Sequence, residues 1–366
     1  MKRTFSGIAL LLIILIQSCA TAPKSNRTQV DPKAETETPK NVILLIGDGM
    51  GLSQISAGIY FSETPSNFEM FSTVGLIKTS ASSDLITDSA AGATAFSAGV
   101  KTFNGAIGVD AEGRAVPTLV ETASERGLAT GIIATSSVVH ATPASFFAHV
   151  RSRRFYDEIA TYLSGSELDF VAGGGRKFFT NREDGRDLYT ELVKNGYTLH
   201  TETLPASAEN EKPVILLAED GMPKMTEGRG DFLPNATKLA LENLSAEDNG
   251  FFLMIEGSQI DWGGHANDAA YLIGEQLDFD KTIGVALAYA NANPETLVIV
   301  TADHETGGFT LAADEGDYNA IKPSFSTGGH SATLIPVFAK GPGEEKFGGV
   351  YENTAVYEKI RELLLK

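Results

Sequence analysis

Cysteine is almost absent from this chain: the one thiol is Cys19, close to the start of the sequence. No disulfide can form within it, so export to an oxidising compartment is tolerated without being used for stability. Positive charge is scarce as well, with 29 Lys and Arg against 47 Asp and Glu and a net charge of −18. A surface of that sign argues against binding nucleic acid or an anionic membrane surface. Long apolar runs are missing. Residues 8–16, behind Lys2-Arg3, suit a secretory signal and are too short to span a bilayer. Internal repeats and a second linker are lacking too, which leaves room for one large domain.

The segment Ile16-Gln17-Ser18-Cys19 is similar to a bacterial lipobox, in which the cysteine becomes the acylated N-terminus; ordinary signal cleavage nearby is the alternative. Residues 21–40 are rich in Pro, Thr, Lys and Glu and hardly apolar, as a disordered tether would be. The expected organisation is a signal segment over 1–18, a lipid-anchored tether over 19–40 and one α/β domain over 41–366. The protein is then exported, periplasmic or at the cell surface, and meets the membrane only through its lipid.

What the chain does have is polar side chains set just beyond its apolar runs. Residues 251–255 read as a buried strand, and Glu256, Asp261 and His265 follow at once. Residues 42–46, 128–134 and 297–300 read as strands too. They lead to Asp48, to His140 and Thr142, and to Asp303 and His304. Residues 118–126, between Pro117 and Gly127, read as a capped helix. The helical stretch 275–290 makes a βαβ crossover between 251–255 and 297–300, and hence predicts their parallel pairing. Open parallel sheets bind ligands beyond the carboxyl ends of their strands, so all these polar residues belong at one end of one sheet.

Six histidines occur, and four lie in these turns or at His330, where Gly328-Gly329 lets the backbone approach a crowded centre. His149 and His200 have no such setting and read as structural or exposed. Four carboxylates beside three or four imidazoles repel one another without cations. Two or three divalent ions remove that cost, and His with Asp favours zinc over an all-oxygen magnesium cage. Residues 178–230, full of charges and turn signals, read as peripheral elements. The stretch between Phe309 and His330 is too short for an inserted lid domain.

Residues 87–95 carry almost no large side chains and read as the start of a closely packed helix. Ser89 then sits near an N-terminus that favours an anion, although Asp88 or Ser89 serving only as an N-cap fits equally well. Among Arg151, Arg153 and Arg154, one guanidinium suits a bidentate grip on phosphate, and the residues alone do not say which.

These segments match a known family. With Ile46-Gly-Asp-Gly-Met-Gly51, Thr87-Asp-Ser-Ala-Ala91, His140-Ala-Thr-Pro143 through Arg153, Glu256 to His265, Thr301-Ala-Asp-His304 and Gly328-Gly-His330, the chain resembles the alkaline phosphatases from Asn41 to its C-terminus. It is most similar to small bacterial members from cold environments. The resemblance implies a three-layer α/β/α sandwich with a mostly parallel sheet, and hydrolysis of phosphate monoesters of broad type to an alcohol and inorganic phosphate. It implies Ser89 as the nucleophile that becomes phosphorylated and Arg153 as the phosphate-binding guanidinium. One zinc would be held by Asp261, His265 and His330, a second by Asp48, Asp303 and His304, and a magnesium by Asp48, Thr142 and Glu256. A homodimer is implied by the family alone.

Two positions depart from the enterobacterial pattern, which has Asp near the magnesium and Lys near the phosphate where this chain has His140 and Trp262. Loss of the Lys should weaken product binding, and His140 is able to join the third metal. The competing readings are a related hydrolase of phosphodiesters, phosphonates or sulfate esters, and a non-catalytic, lipid-anchored phosphate- or metal-binding protein.

Overall fold

A computed structural model of the chain describes residues 38–180 and 182–365. The signal segment and Cys19 lie outside the described residues, as does the tether apart from its last three positions. The described part belongs to one compact unit, and none of its helices is long and apolar enough to cross a membrane.

Fourteen strands run in chain order among the described residues: β1 (Asn41–Gly47), β2 (Thr73–Lys78), β3 (Ala129–Ser137), β4 (Phe170–Gly174), β5 (Thr198–His200), β6 (Pro213–Leu216), β7 (Phe251–Gly257), β8 (Thr296–Thr301), β9 (Glu305–Thr306), β10 (Thr310–Asp314), β11 (Asp317–Ser324), β12 (His330–Ser331), β13 (Ile335–Lys340) and β14 (Gly349–Glu352). Ten form one sheet in the order β14-β2-β13-β8-β1-β7-β3-β4-β6-β5. All neighbours in it are parallel except those of β13, which is antiparallel to both β8 and β2. Every residue of β1, β3, β7 and β8 is buried, as expected of strands covered on both faces. That is why β1, β7 and β8 read as unbroken apolar runs instead of alternating ones, whereas β3 is buried with small and hydroxyl residues among its apolar ones.

Helices cover the sheet in two groups. Phe232–Leu244, Ala269–Ala292 and Leu52–Phe61 pack together on one side, and Thr354–Leu364, Ser89–Ala98 and Leu119–Glu125 associate separately. The helix after Pro117 starts where the sequence indicated, with Thr118 as its N-cap and Glu121 closing a capping box.

Two expectations need correction. The crossover from β7 to β8 exists, but the two strands do not pair, because β1 enters between them and pairs with both. A first strand inserted at the centre leaves no local sequence signal. Residues 178–230 are also less peripheral than expected, since they supply β5 and β6 to the main sheet.

The end of that region is fastened by a buried charge cluster. The Arg229 guanidinium pairs with Glu275 and, at 2.8 Å, with Asp278 on the long helix, and all three side chains are 2% exposed or less. Removing the one cation strands two carboxylates. Arg229→Met is expected to destabilise the protein by about 3–5 kcal/mol at neutral pH. The loss should shrink in mild acid, where both carboxyls take up protons; urea unfolding at two pH values checks it.

Candidate active site

The turn after β1 puts Asp48 at the carboxyl end of the sheet, its N–H donating to the Gly257 carbonyl of β7. Gly49 follows with φ +72°, and a Cβ there would lie 2.8 Å from Asp261 Cα. Only glycine allows this approach, which brings the β1 turn against the segment after β7. Beyond β8 come Asp303 and His304, both fully buried. The segment after β7 is a helix, Gln259–His265, which sets Asp261 and His265 one turn apart on one face. His330 arrives on β12, paired with β9, where it faces Thr306.

The small-residue stretch 89–98 is a helix in which all ten residues are buried. A Cβ on Gly92 would lie 2.9 Å from Asp303 Cβ, so the small residues are what lets this helix lie on the β8 turn. Of the two N-cap candidates, it is Asp88 that caps the helix, accepting from Ala91 N at 3.0 Å. Ser89 opens the helix with Oγ 3.4 Å from Asp48 Oδ1 and 3.3 Å from His304 Nε2.

The histidines are oriented alike. His265 Nδ1 lies 2.7 Å from the Gly328 carbonyl and His330 Nδ1 2.8 Å from the Thr87 carbonyl. A carbonyl only accepts, so each Nδ1 carries a proton, and Nε2 is the ring nitrogen left to turn outward as a ligand atom. Those two Nε2 atoms are 3.2 Å apart and lie 3.4 and 3.6 Å from Asp261 Oδ1. His304 repeats the pattern: its Nδ1 is 3.2 Å from Thr306 Oγ1, and its Nε2 faces Asp303 Oδ2 at 3.2 Å and Asp48 Oδ1 at 3.4 Å. Lone pairs and carboxylate oxygens converging on one point suit a cation, and the outer hydrogen bonds fix the rings as they do around bound metals.

Three ligand groups result: Asp261, His265 and His330; Asp48, Asp303 and His304; and Asp48, His140 and Glu256. Asp48 is common to the last two. Thr142 is fully buried on the short helix Ala141–Ala144, which starts directly after His140. Among the described residues, Asp48 Oδ2, Asp303 Oδ2, Glu256 Oε1, Thr142 Oγ1 and His140 Nδ1 are buried without a hydrogen-bond partner. Buried polar atoms are rarely left so, and several of them occurring in these groups fits divalent ions bound there.

Electrostatics agree. Burial, reinforced by Asp303, Asp261 and Glu256, holds the Asp48 carboxyl well above the usual range. Burial pushes Glu256 up to about 7 against the hydroxyls of Ser258 and Ser136, and it raises Asp303 too. The His304 ring is held well below its ordinary value by burial and by His330. Cations would reverse these penalties for the carboxylates.

Arg153 separates from its neighbours. Its Nη1 lies 3.0 Å from Asp88 Oδ2 and its Nη2 3.3 Å from His140 Nε2. Arg151 instead binds the Glu112 carbonyl and covers the Phe103 ring, and Arg154 is exposed. His140 is pushed down to about 3 by burial and by the Arg153 charge, so it stays a neutral acceptor at working pH. Trp262 meets the His140 ring edge-on, with centroids 5.8 Å apart. His149 and His200 lie elsewhere, paired with Glu121 and Glu211.

Sequence reasoning missed the contacts that four residues make in the site. Asp88 orients Arg153 besides capping its helix. Thr306 donates to Asp261 Oδ1 at 2.5 Å while facing His304. Ser258 and Ser136 donate to Glu256. Their proximity to ligands in sequence was the one available signal, and hydroxyl residues are too common for it to decide anything.

Comparison with known proteins gives a consistent picture. The family model described as alkaline phosphatase matches residues 39–323. Alkaline phosphatase 3 of Bacillus subtilis (strain 168) is 33% identical over 98% of this chain and 96% of its own. The alkaline phosphatase of the Antarctic bacterium TAB5 superposes with a TM-score of 0.88 at 55% identity, covering 90% of this chain and 98% of that one. A variant of it with one histidine changed to aspartate, described with magnesium bound in its M3 site, matches at 54% identity and the same TM-score and coverage.

Proposed function

The chain belongs to the alkaline phosphatase family, a family of metal-dependent phosphatases, and from that membership we propose that it hydrolyses phosphate monoesters through a phosphoserine formed on Ser89, at a centre of two zinc ions and one magnesium. The observation that carries the metal reading is the orientation of His265, His304 and His330, each with Nδ1 engaged and Nε2 turned to a carboxylate.

Asp261, His265 and His330 would hold one zinc and Asp48, Asp303 and His304 the other. Oxygen donors from Asp48, Thr142 and Glu256 favour magnesium at the third position, whereas the His140 imidazole favours zinc there. The TAB5 variant with magnesium in its M3 site has an aspartate in place of a histidine, and elemental analysis of His140→Asp against wild type resolves this competition. When bound, such ions favour an ionised serine hydroxyl and offset charge on a departing oxygen.

The chain's own groups account for the rest. Ser89 opens a buried helix, whose N-terminal dipole favours the phosphoryl charge. Arg153, steadied by Asp88, presents a planar fork to two phosphoryl oxygens. The Ser89 Oγ–phosphorus bond forms as the bond to the alcohol breaks; water then cleaves the phosphoserine, releasing phosphate and restoring the hydroxyl. None of the assigned groups is committed to the alcohol, which supports broad specificity. Export with Cys19 as lipid anchor belongs to the same proposal, supported by residues 16–19, and the mass of the mature N-terminal peptide tests it.

Turnover of a phosphate monoester, a diester and a sulfate ester, measured with metal content, tests the reading. The monoester should be strongly preferred. Faster turnover of the diester would replace this assignment, and metal binding without turnover would make the protein a binding module. Trp262→Lys adds a cation beside His140 and Arg153. It is expected to tighten inhibition by inorganic phosphate roughly tenfold, an effect of about 1.4 kcal/mol; an unchanged inhibition constant contradicts the role given to Trp262.

A further inference from the structure

Glu305 follows His304 and is 4% exposed. Among the described residues no Lys, Arg or His pairs with it, and its partners are neutral donors from three different segments. Oε1 accepts from Gln54 Nε2 at 2.9 Å and from the Phe309 N–H at 2.9 Å, and Oε2 accepts from the Ser331 hydroxyl. Burying a carboxylate without a counter-charge is costly, so a purely filling role is served better by an apolar residue.

The three segments are those that carry metal ligands. Ser331 follows His330 on β12 and faces Glu305 across the β9–β12 ladder. That ladder is only two residues long and has little strength of its own. Gln54, itself fully buried, lies in the first turn of the helix after Asp48 and donates a second bond to the Thr306 carbonyl. Gly51 makes room for the carboxylate stem, since a Cβ there would lie 2.6 Å from Glu305 Cγ. The chain thus gives up a side chain at Gly51 to seat this one.

We propose that Glu305 is a positioning residue whose carboxylate fastens the strand bearing His330 to the segment bearing His304 and to the helix behind Asp48, and so sets the spacing of the two zinc positions. The inference rests on the metal reading given above. Its consequence lies in metal retention. Without the clamp β12 keeps only its two-residue ladder, the bond from the Gly307 N–H to the Gly329 carbonyl and the contact of His330 with the Thr87 carbonyl, so His330 departs from Asp261 and His265 more readily.

The experiment is zinc release from the zinc-loaded, full-length protein into a chromogenic chelator, well below the unfolding temperature, for wild type, Glu305→Ala, Glu305→Gln and Ser331→Ala. Glu305→Ala should release zinc roughly ten- to a hundredfold faster, with kcat lowered more than KM is raised. Glu305→Gln should stay within about threefold of wild type, because its amide oxygen still accepts from Gln54 and Phe309 and its nitrogen can donate to a reversed Ser331 hydroxyl. A folded Glu305→Ala protein with wild-type release overturns the proposal. So does a Glu305→Gln protein as leaky as Glu305→Ala, which would make charge the cause. Should Glu305→Ala not fold, Ser331→Ala decides: one zinc equivalent should leave faster than the other, and unchanged release of both overturns the proposal. Wild-type protein that binds no zinc overturns the metal reading itself, and this inference with it.

Discussion

Ser89→Ala is expected to cut phosphomonoester turnover by roughly a thousandfold or more while leaving the fold intact. The two halves of that expectation have separate grounds. Ser89 Oγ lies near both Asp48 and His304, whereas the helix start is secured by the side chain of Asp88. Alanine keeps that cap, favours the helix and fits a site where the serine is 2% exposed. Thermal unfolding of the variant should therefore match wild type, and acid quenching of a labelled substrate should trap phosphoprotein in wild type alone. A variant that keeps a tenth of the activity would reduce Ser89 to a structural neighbour of the cap.

Removal of metal by a chelator should abolish activity and weaken the fold, with both restored by zinc. Occupancy contributes about 4 kcal/mol for each site held at a thousand times its dissociation constant. The stripped protein should also respond to pH with a definite sign. Burial raises the carboxyls of Asp48, Glu256 and Asp303 above their ordinary values, Glu256 to about 7. Groups raised in the folded state favour folding at low pH, and that contribution is lost as pH climbs through the folded values. The gap in urea midpoint between zinc-loaded and stripped protein should thus be wider at pH 9 than at pH 6. A gap that narrows would mean that these carboxyls are not the ion's partners.

Much of this was legible in the sequence, and the reason is physical. Strands buried on both faces announce themselves as unbroken apolar runs, and a parallel sheet gathers the residues just beyond those runs at one end. That logic brought Asp48, Glu256, Asp303 and His304 together without knowledge of pairing. It failed where information is not local. Nothing near residues 41–47 says that β1 separates β7 from β8. Nothing near Arg153 distinguishes it from Arg151; the choice is made by Asp88, 65 residues earlier. Glu305 is the sharpest case, since nothing near it in sequence says that donors from Gln54, Phe309 and Ser331 meet on its carboxylate.

The central position of β1 has a further consequence. Ile46 is level with Glu256 on one side and with Thr301 on the other, so Asp48, Glu256 and Asp303 come into reach only when three strands far apart in sequence are aligned to the residue. A slip by one position would turn Glu256 to the opposite face of the sheet. Catalysis therefore doubles as a proofreading signal for assembly. During refolding, activity should return only after the innermost strands have locked, later than helix content, and a chain that is compact but misaligned should remain silent.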